Sequence, residues 1–473
     1  MTVRVRIAPS PTGLVHVGNV RAALFNWMFA RHHGGVFILR IDDTDLDRSE
    51  QRYEDEIKEG FRWLGLDWDE GVDVGGEHGP YRQSDRMDRY RQVVESLVES
   101  GHAYYDDRST EELEALRQKA QQAKLHPNFY IRRPEREAST GVVRFSVPQD
   151  ASVEFEDVIR GTVRFGSEVI DDFVIYRSNG TPTYHLASAT DDLDHAITHV
   201  IRGEDLLSST PKHILLSRAI GGTEPRYAHL PLIMGPDGKP LSKRHGPTSL
   251  KEFRDRGFLP EAFRNYLSLL GWSIDAERTV FTTDEAIAAF DLSDVSRNPA
   301  VFDTTKLEWM NGEYIRALPE AEFIERVRPH LVSGLGHGLD DAGWAQFVQM
   351  APLVQERTKF FSDAADQVRF LFADDVDYDE TSWSKVMEKE GVGDVLRVSA
   401  EKLSGLDEFD HDAVEAALRS MLEELEIGAR KGLQPLRVAI TGSQVSPPLF
   451  ESIAALGKLR TLARLADCRA RLG

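Results

Sequence analysis

The chain has one cysteine, Cys468, among its 473 residues. That excludes an internal disulfide and every zinc site built from paired cysteines, so disulfide scaffolds and zinc ribbons drop out and a reducing cytoplasm fits. No run of about 18 apolar residues, the length a membrane helix needs, occurs anywhere. The opening stretch MTVRVRIAPSPTG has no apolar core of the signal-peptide kind. Neither export nor a membrane partner is expected, and the expected location is cytoplasmic. Positive charge is also scarce: Lys and Arg number 57 against 78 Asp and Glu, a net −21. A field of that sign repels polyanions at long range. Phosphate binding nevertheless needs only local basic clusters, which must be sought along the chain.

What is present is a folded composition, 41% hydrophobic and 29% charged, with room for roughly three domains of about 150 residues. Val3, Val5 and Ile7 alternate with Arg4 and Arg6, the two-residue period of a strand, which turns Arg6 away from the core. Pro9, Pro11 and Gly13 end that strand, and from about Gly18 Val20, Leu24, Trp27 and Met28 recur at helical spacing. A second apolar strand, 36–41, runs into Asp42-Asp43-Thr44-Asp45. This βαβ pattern implies parallel strands in a doubly wound sheet. Ligands in such sheets lie beyond the carboxyl ends of the strands, where the PSPTGLVHVGN and DDTD turns fall.

From about Gly101 to Pro182 a polar, helix-prone run gives way to short strands such as VVRFSV and TVRFG, an α+β insertion. Alternation of β and α then resumes until about Lys251. The remainder is helical in pattern, with a break at 441–448 and a last helix from Leu449. The expected fold class is α/β: a Rossmann-like doubly wound parallel sheet split by an α+β insertion, followed by an all-α region. The expected segments are 1–100, 101–185, 186–250, 251–318 and 319–473, the last breaking near 375.

His16-Val17-Gly18-Asn19 opens the first helix, where free backbone N–H groups and the helix dipole favour an anion. Imidazole and amide donors there would face a phosphate, although the pattern alone reads as a helix cap. The loop 236–246, PDGKPLSKRHG, supplies Lys239, Lys243 and Arg244 on a Gly/Pro frame that can close over a triphosphate. It is not a Walker loop, and no G-x-G-x-x-G follows a strand. Asp43, Asp45, Asp47 and Glu54 match calcium-loop positions, but Arg48 stands where the sharp turn needs Gly and a strand precedes, so calcium is not expected. His195 and His199, four apart in a strand-like HAITHVI, are expected to be structural rather than zinc ligands.

Together these residues resemble a known family. R-I-A-P-S-P-T-G (6–13), H-V-G-N (16–19), R-I-D-D-T-D (40–45), G-P-Y-R-Q-S (79–84), P-T-Y-H-L-A (182–187), R-G-E-D (202–205), L-S-K-R (241–244) and W-M-N (309–311) occur in the order seen in bacterial glutamyl-tRNA synthetases, over essentially the whole chain. The helical C-terminal third favours this group over the glutaminyl enzymes, which carry β-barrels there. A truncated relative that modifies an anticodon base lacks that third.

The resemblance implies a glutamate–tRNA ligase whose substrates are ATP, L-glutamate and tRNA(Glu), with Mg²⁺ accompanying ATP. His16 and Asn19 fall on the family's "HIGH" element, and Ser242 and Lys243 on its "KMSKS" element. His16, Gly18, Asn19 and Lys243 would then bind ATP. Arg6, Ser10, Asp42, Tyr184 and Arg202 fall on positions that hold glutamate, and Arg48, Arg357, Lys431 and Arg437 fall to the tRNA. The insertion would bind the acceptor end, 251–318 the stem and 319–473 the anticodon. The resemblance further implies that glutamate activation requires tRNA. Two departures stand out: Asp42 replaces the family's usual Glu, and Ser188 stands where many members have Asn. Members with a zinc knuckle carry cysteines near the segment that here reads Tyr104-Tyr105-Asp106, so no zinc is expected. Basic runs at 131–137 and at Lys458, Arg460, Arg464, Arg469 and Arg471 lie on the two RNA-binding modules, though such runs are more often solvated helix faces. Arg357 would read the third anticodon base, or else simply pair with Glu356 or Asp363. The alternatives are a non-discriminating enzyme that also charges tRNA(Gln), and an RNA-binding paralogue without catalysis.

Overall fold

The computed structural model describes residues 2–45, 47–135, 137–148, 151–166 and 169–472. Arg136 of the basic run 131–137 lies outside them. Residues Met1–Leu307 form one compact unit and Glu308–Gly473 a second.

The first unit is built on the βαβ pattern: β1 (Arg4–Ile7), α1 (Val17–His32) and β2 (Val36–Leu39). β2 is two residues shorter than its apolar run, because Ile41 leaves the strand to bridge to Arg82. Then come α2 (Gln51–Trp63), β3 (Glu70–Gly71) and α3 (Met87–Glu99). The insertion holds β4 (Ala103–Asp106), α4 (Thr110–Gln122), β5 (Val142–Phe145), β6 (Val153–Asp157), β7 (Gly161–Phe165) and β8 (Val174–Tyr176). The sheet is completed by α5 (Tyr184–Asp194), β9 (His199–Gly203), α6 (Thr210–Ile220) and β10 (Arg226–Leu230).

β1 pairs in parallel with β2 and β2 with β3, while β9 and β10 are also parallel. β9 abuts β1 at Thr198, whose N–H donates to the Arg4 carbonyl at 2.9 Å. The strand order is therefore β3-β2-β1-β9-β10, and it reverses between β1 and β9. α1 packs on β1, β2 and β9 with nearly all of its length buried, while α3, α5 and α6 share an apolar core with Ile38, Val200 and Tyr227. Helices on both faces make the sheet doubly wound. β4, β5 and β8 form a separate antiparallel sheet, and the β6–β7 hairpin joins β10 through the pair Tyr227–Asp157.

Covering both faces corrects the expectation for Arg6. Alternation does turn it from Val5 and Ile7, yet it is only 5% exposed, because the far face is itself packed and supplies Asp192 as its ion partner. His195 is likewise not in a strand: it caps α5, and the strand begins at His199.

The second unit is helical, with helices at Glu320–Leu335, Asp341–Arg357, Asp363–Phe372, Val392–Ser404, His411–Glu424 and Ala429–Thr441. The expected single helix from Leu449 is two, Leu449–Leu456 and Lys458–Leu472, because Gly457 takes φ 83° and breaks the chain direction. No helix among the described residues is long and apolar enough to cross a membrane.

Candidate active site

At the reversal point between β1 and β9 lies a cleft of about 650 Å³, where a doubly wound sheet offers its ligand crevice. Arg6, Ser10, His16, Gly18, Asn19, Asp42, Tyr184 and Arg202 all line it, so residues up to 196 positions apart (202 − 6) converge. Ser188, one of the two departures, lines it too. Ser242 and Lys243 do not, although their neighbours Pro240 and Leu241 do.

His16 is the N-cap of α1, its Nδ1 accepting from the Gly18 N–H at 3.1 Å. Burial lowers its pKa, so the ring is neutral with its proton on Nε2. The cap reading and the phosphate reading are thus compatible: one nitrogen closes the helix, and the other remains a donor beside the helix N-terminus.

Beneath Arg6 lies an ionic network that the motifs did not single out. Asp192 accepts from Arg6 Nε at 3.0 Å and from Arg40 Nη1 at 2.7 Å. Arg40, fully buried, is also held by Asp42 and lies 3.7 Å from Asp191. Arg86, Gln83 and Tyr90 close around Asp191 at 2.8 to 2.9 Å. Burial alone would raise Asp192, but Arg6 and Arg40 hold it well below the usual carboxylate range. Burial pushes Asp42 up and Asp191 up to about 6, against the pull of Arg40. The signal for these partners was present in R-I-D-D and in the ATDD that ends α5, but nothing local joins the two segments.

Arg202 is different. It is 5% exposed, and its N–H groups go to Tyr184 Oη at 3.2 Å, His229 Nε2 at 3.2 Å, Thr210 Oγ1 at 2.8 Å and the Leu206 carbonyl at 3.3 Å. Among the described residues no carboxylate pairs with it. A buried cation held only by neutral acceptors is a seat for an incoming anion.

The LSKR segment follows a hairpin in which Leu241 N–H donates to the Ile233 carbonyl at 2.9 Å. Lys243 is exposed and starts a short turn, Lys243–His245, with Ser242 and His245 capping each other. The next residues tie this loop to the helix entrance: Val17 N–H donates to Thr248 O and Leu250 N–H to Val15 O, both at 2.9 Å.

His195 is fully buried, with Nε2 3.2 Å from the Pro80 carbonyl, and His199 Nδ1 lies 2.9 Å from Thr198 Oγ1. Among the described residues no group of three or more His, Cys, Asp or Glu is arranged to hold a metal. At Tyr104-Tyr105-Asp106, Tyr104 donates to Asp172 and Asp106 is held by Arg108 and Arg144.

Of the residues expected at the tRNA, Arg48 is exposed beside Asp45 at 3.7 Å, and Lys431 is exposed near the start of the helix Ala429–Thr441. Arg357 pairs with neither Glu356 nor Asp363. Its Nη1 donates to the Ser446 carbonyl at 2.9 Å, and Arg437 Nη1 reaches the same oxygen at 3.3 Å. The terminal basic run is partly corrected. Arg464, 5% exposed, donates to the Phe370, Ala373 and Ile440 carbonyls, and Arg460 donates to Leu371 and Ala373. These two satisfy helix C-termini, whose last carbonyls have no partner of their own, with Arg464 buried and Arg460 half-buried.

Comparison with known proteins shows the family of the chain. The family described as tRNA synthetases class I (E and Q), catalytic domain, matches residues 2–309, and an anticodon binding domain matches 322–469. The chain is 45% identical to "Glutamate--tRNA ligase 2" of Rubrobacter xylanophilus over 99% of this chain and 97% of that one. It is also 45% identical to a glutamate–tRNA ligase of Dehalococcoides mccartyi, over 99% and 98%. A crystal structure of a glutamate tRNA ligase from Elizabethkingia meningosepticum, in complex with its amino acid, superposes with a TM-score of 0.88 at 32% identity, covering all of both chains. With the catalytic match over the cleft and full-length relatives at this identity, the chain belongs to the glutamate–tRNA ligases of the class I tRNA synthetase family.

Proposed function

We propose that the chain activates L-glutamate with MgATP, giving glutamyl-adenylate and pyrophosphate, and then transfers the glutamyl group to the 3′ end of tRNA(Glu). The observation that carries this is Arg202, a buried cation without a carboxylate partner, in the same cleft as the N-terminus of α1. Arg6 is already neutralised in part by Asp192, so Arg202 is the stronger seat for a substrate carboxylate. In this reading Asp42 meets the ammonium, and the Ser10 and Tyr184 hydroxyls complete the glutamate site. Glutamine is rejected because its neutral amide leaves a buried cation unpaired, at a cost of about 1 to 3 kcal/mol or more.

ATP lies against the α1 entrance, with His16 Nε2–H, the backbone at Gly18 and the Asn19 amide as donors. Lys243 and Ser242 close from the LSKR loop onto the charge that develops as the glutamate carboxylate attacks the α-phosphate. No side-chain nucleophile is required, so catalysis is positioning and electrostatics. Magnesium arrives with ATP, and we assign no zinc. The insertion takes the acceptor end and 251–318 the stem, while Arg48, Arg357, Lys431 and Arg437 contact tRNA. The setting is the cytoplasm, where those substrates are found.

The test is charging of tRNA(Glu) and tRNA(Gln) transcripts with labelled glutamate. Glutamate- and ATP-dependent charging of tRNA(Glu) is expected, and pyrophosphate exchange is expected only when tRNA is present. A folded chain without either activity overturns the reading in favour of a non-catalytic RNA-binding protein.

A further inference from the structure

Among the described residues Arg202 has no carboxylate partner, so whatever fixes its direction decides the shape of the glutamate seat. Its Nε–H faces His229 Nε2 at 3.2 Å, and His229 Nδ1 lies 2.6 Å from Asp157 Oδ2. His229 is fully buried, Asp157 2% exposed and Arg202 5%. A carboxylate only accepts and a guanidinium only donates, which leaves one arrangement for a neutral imidazole. The proton sits on Nδ1 facing Asp157, and the Nε2 lone pair faces Arg202. Burial lowers the His229 pKa against the pull of the Asp157 hydrogen bond, which keeps the ring neutral.

Asp157 cannot turn away. Its Oδ1 accepts the backbone N–H groups of Ile159 at 3.0 Å and Arg160 at 2.8 Å, and the His229 N–H is shared between Oδ1 at 3.3 Å and Oδ2 at 3.1 Å. It ends β6, at the pair Tyr227–Asp157 that joins the insertion's hairpin to β10. The three groups therefore run from the insertion to the cleft as carboxylate, imidazole and guanidinium.

We infer that Asp157 and His229 are positioning residues for the glutamate site, the carboxylate fixing the histidine tautomer and the tautomer aiming Arg202 at the substrate carboxylate. This rests on the reading of Arg202 given above. It also gives the insertion a direct hold on the amino-acid site, by way of β6.

The decisive variant is Asp157→Asn. Its amide oxygen stays on the Ile159 and Arg160 N–H groups and keeps the His229 backbone N–H, 3.3 Å from Oδ1, so its NH₂ faces His229 Nδ1. The ring must then accept at Nδ1 and carry its proton on Nε2, donor against the donor Nε–H of Arg202. Thr210 Oγ1, 3.1 Å from Nε2, can take the new proton, but Arg202 Nε has lost its acceptor. In aminoacylation assays on the full chain, the glutamate KM should rise about tenfold or more while the ATP KM stays within about twofold. His229→Gln places a carbonyl oxygen near the old Nε2 and should keep the KM within about threefold. In that background Asp157→Asn should cost less than about twofold more.

An unmoved glutamate KM in Asp157→Asn, an equal rise for ATP, or an undiminished effect in the His229→Gln background would each overturn the inference. If Asp157→Asn does not fold, His229→Gln against His229→Leu decides, and equal glutamate KM values for the two overturn it. A wild-type chain that charges no glutamate overturns the underlying reading instead.

Discussion

Asp42 grips Arg40 through both oxygens, Oδ1 2.7 Å from Nε and Oδ2 3.1 Å from Nη2, with the arginine fully buried. The carboxylate assigned to the substrate ammonium is therefore partly committed to Arg40, and it is one methylene shorter than the Glu expected at this position. Asp42→Asn should raise the glutamate KM about tenfold or more, because an amide cannot balance an ammonium in a buried site. Removing one partner of a buried ion pair costs about 3–5 kcal/mol. Arg40 keeps Asp192 at 2.7 Å and Asp191 at 3.7 Å, so a loss nearer ~1–3 kcal/mol is expected here. Urea unfolding and steady-state kinetics read the two effects separately. Wild-type values for both would remove Asp42 from the site.

Lys243 is exposed on a short turn, so its loss should leave stability alone. Its proposed work is done in the transition state. Lys243→Ala should therefore lower the adenylation rate by roughly 10², about 3 kcal/mol, with the melting temperature unchanged. Pyrophosphate exchange in the presence of tRNA measures it, and an undiminished rate in folded mutant would exclude this role.

The sequence made some of this architecture legible because the evidence is local. β1, α1 and β2 carry the two-residue and helical periods, and Pro9, Pro11 and Gly13 punctuate them. The His16 turn and the LSKR loop are contiguous strings. Alternation, by contrast, tells which face Arg6 takes but not whether that face is covered, and its partner Asp192 is 186 residues away. Arg40–Asp192 and Asp157–His229 join segments 152 and 72 residues apart, with no pattern in either segment that names the other. Arg464 misleads for a related reason: a charge on an amphipathic helix reads as solvated until the neighbouring helix end that it caps is known.

Acid should destabilise the first unit through its buried histidines. Burial lowers His195 to about 3 and both His185 and His199 to about 4. The unfolded chain takes up these protons near 6.5 and the folded chain only well below, so stability falls as pH drops from about 6.5. Each contributes at most ~1.4 kcal/mol per pH unit, less for His185 and His199, which are partly exposed. Asp191, raised to about 6, and Asp42, also raised by burial, act in the opposite sense, but burial lowers His16, His213 and His229 as well, so two groups stand against six. The urea midpoint should therefore decline between pH 6.5 and 4.5, and a flat or rising midpoint would contradict the burial assigned to these rings.

Arg357 and Arg437 share the Ser446 carbonyl, and the second guanidinium is lowered first by burial and then by the first. Two like charges held side by side by a backbone oxygen have a fixed position, which an ordinary surface arginine lacks. A fixed guanidinium can discriminate base edges, at about 1 to 3 kcal/mol per bidentate contact. The third anticodon base is C in tRNA(Glu) and G in tRNA(Gln), so the arginine has different edges to accept or reject. Arg357→Gln removes the charge yet keeps an amide able to donate to Ser446, which preserves the loop. Charging of the tRNA(Gln) transcript should rise relative to tRNA(Glu) by about 5- to 150-fold, the equivalent of that energy. Measured as the ratio of kcat/KM values on the two transcripts, an unaltered ratio would assign Arg357 to holding the 441–448 loop alone.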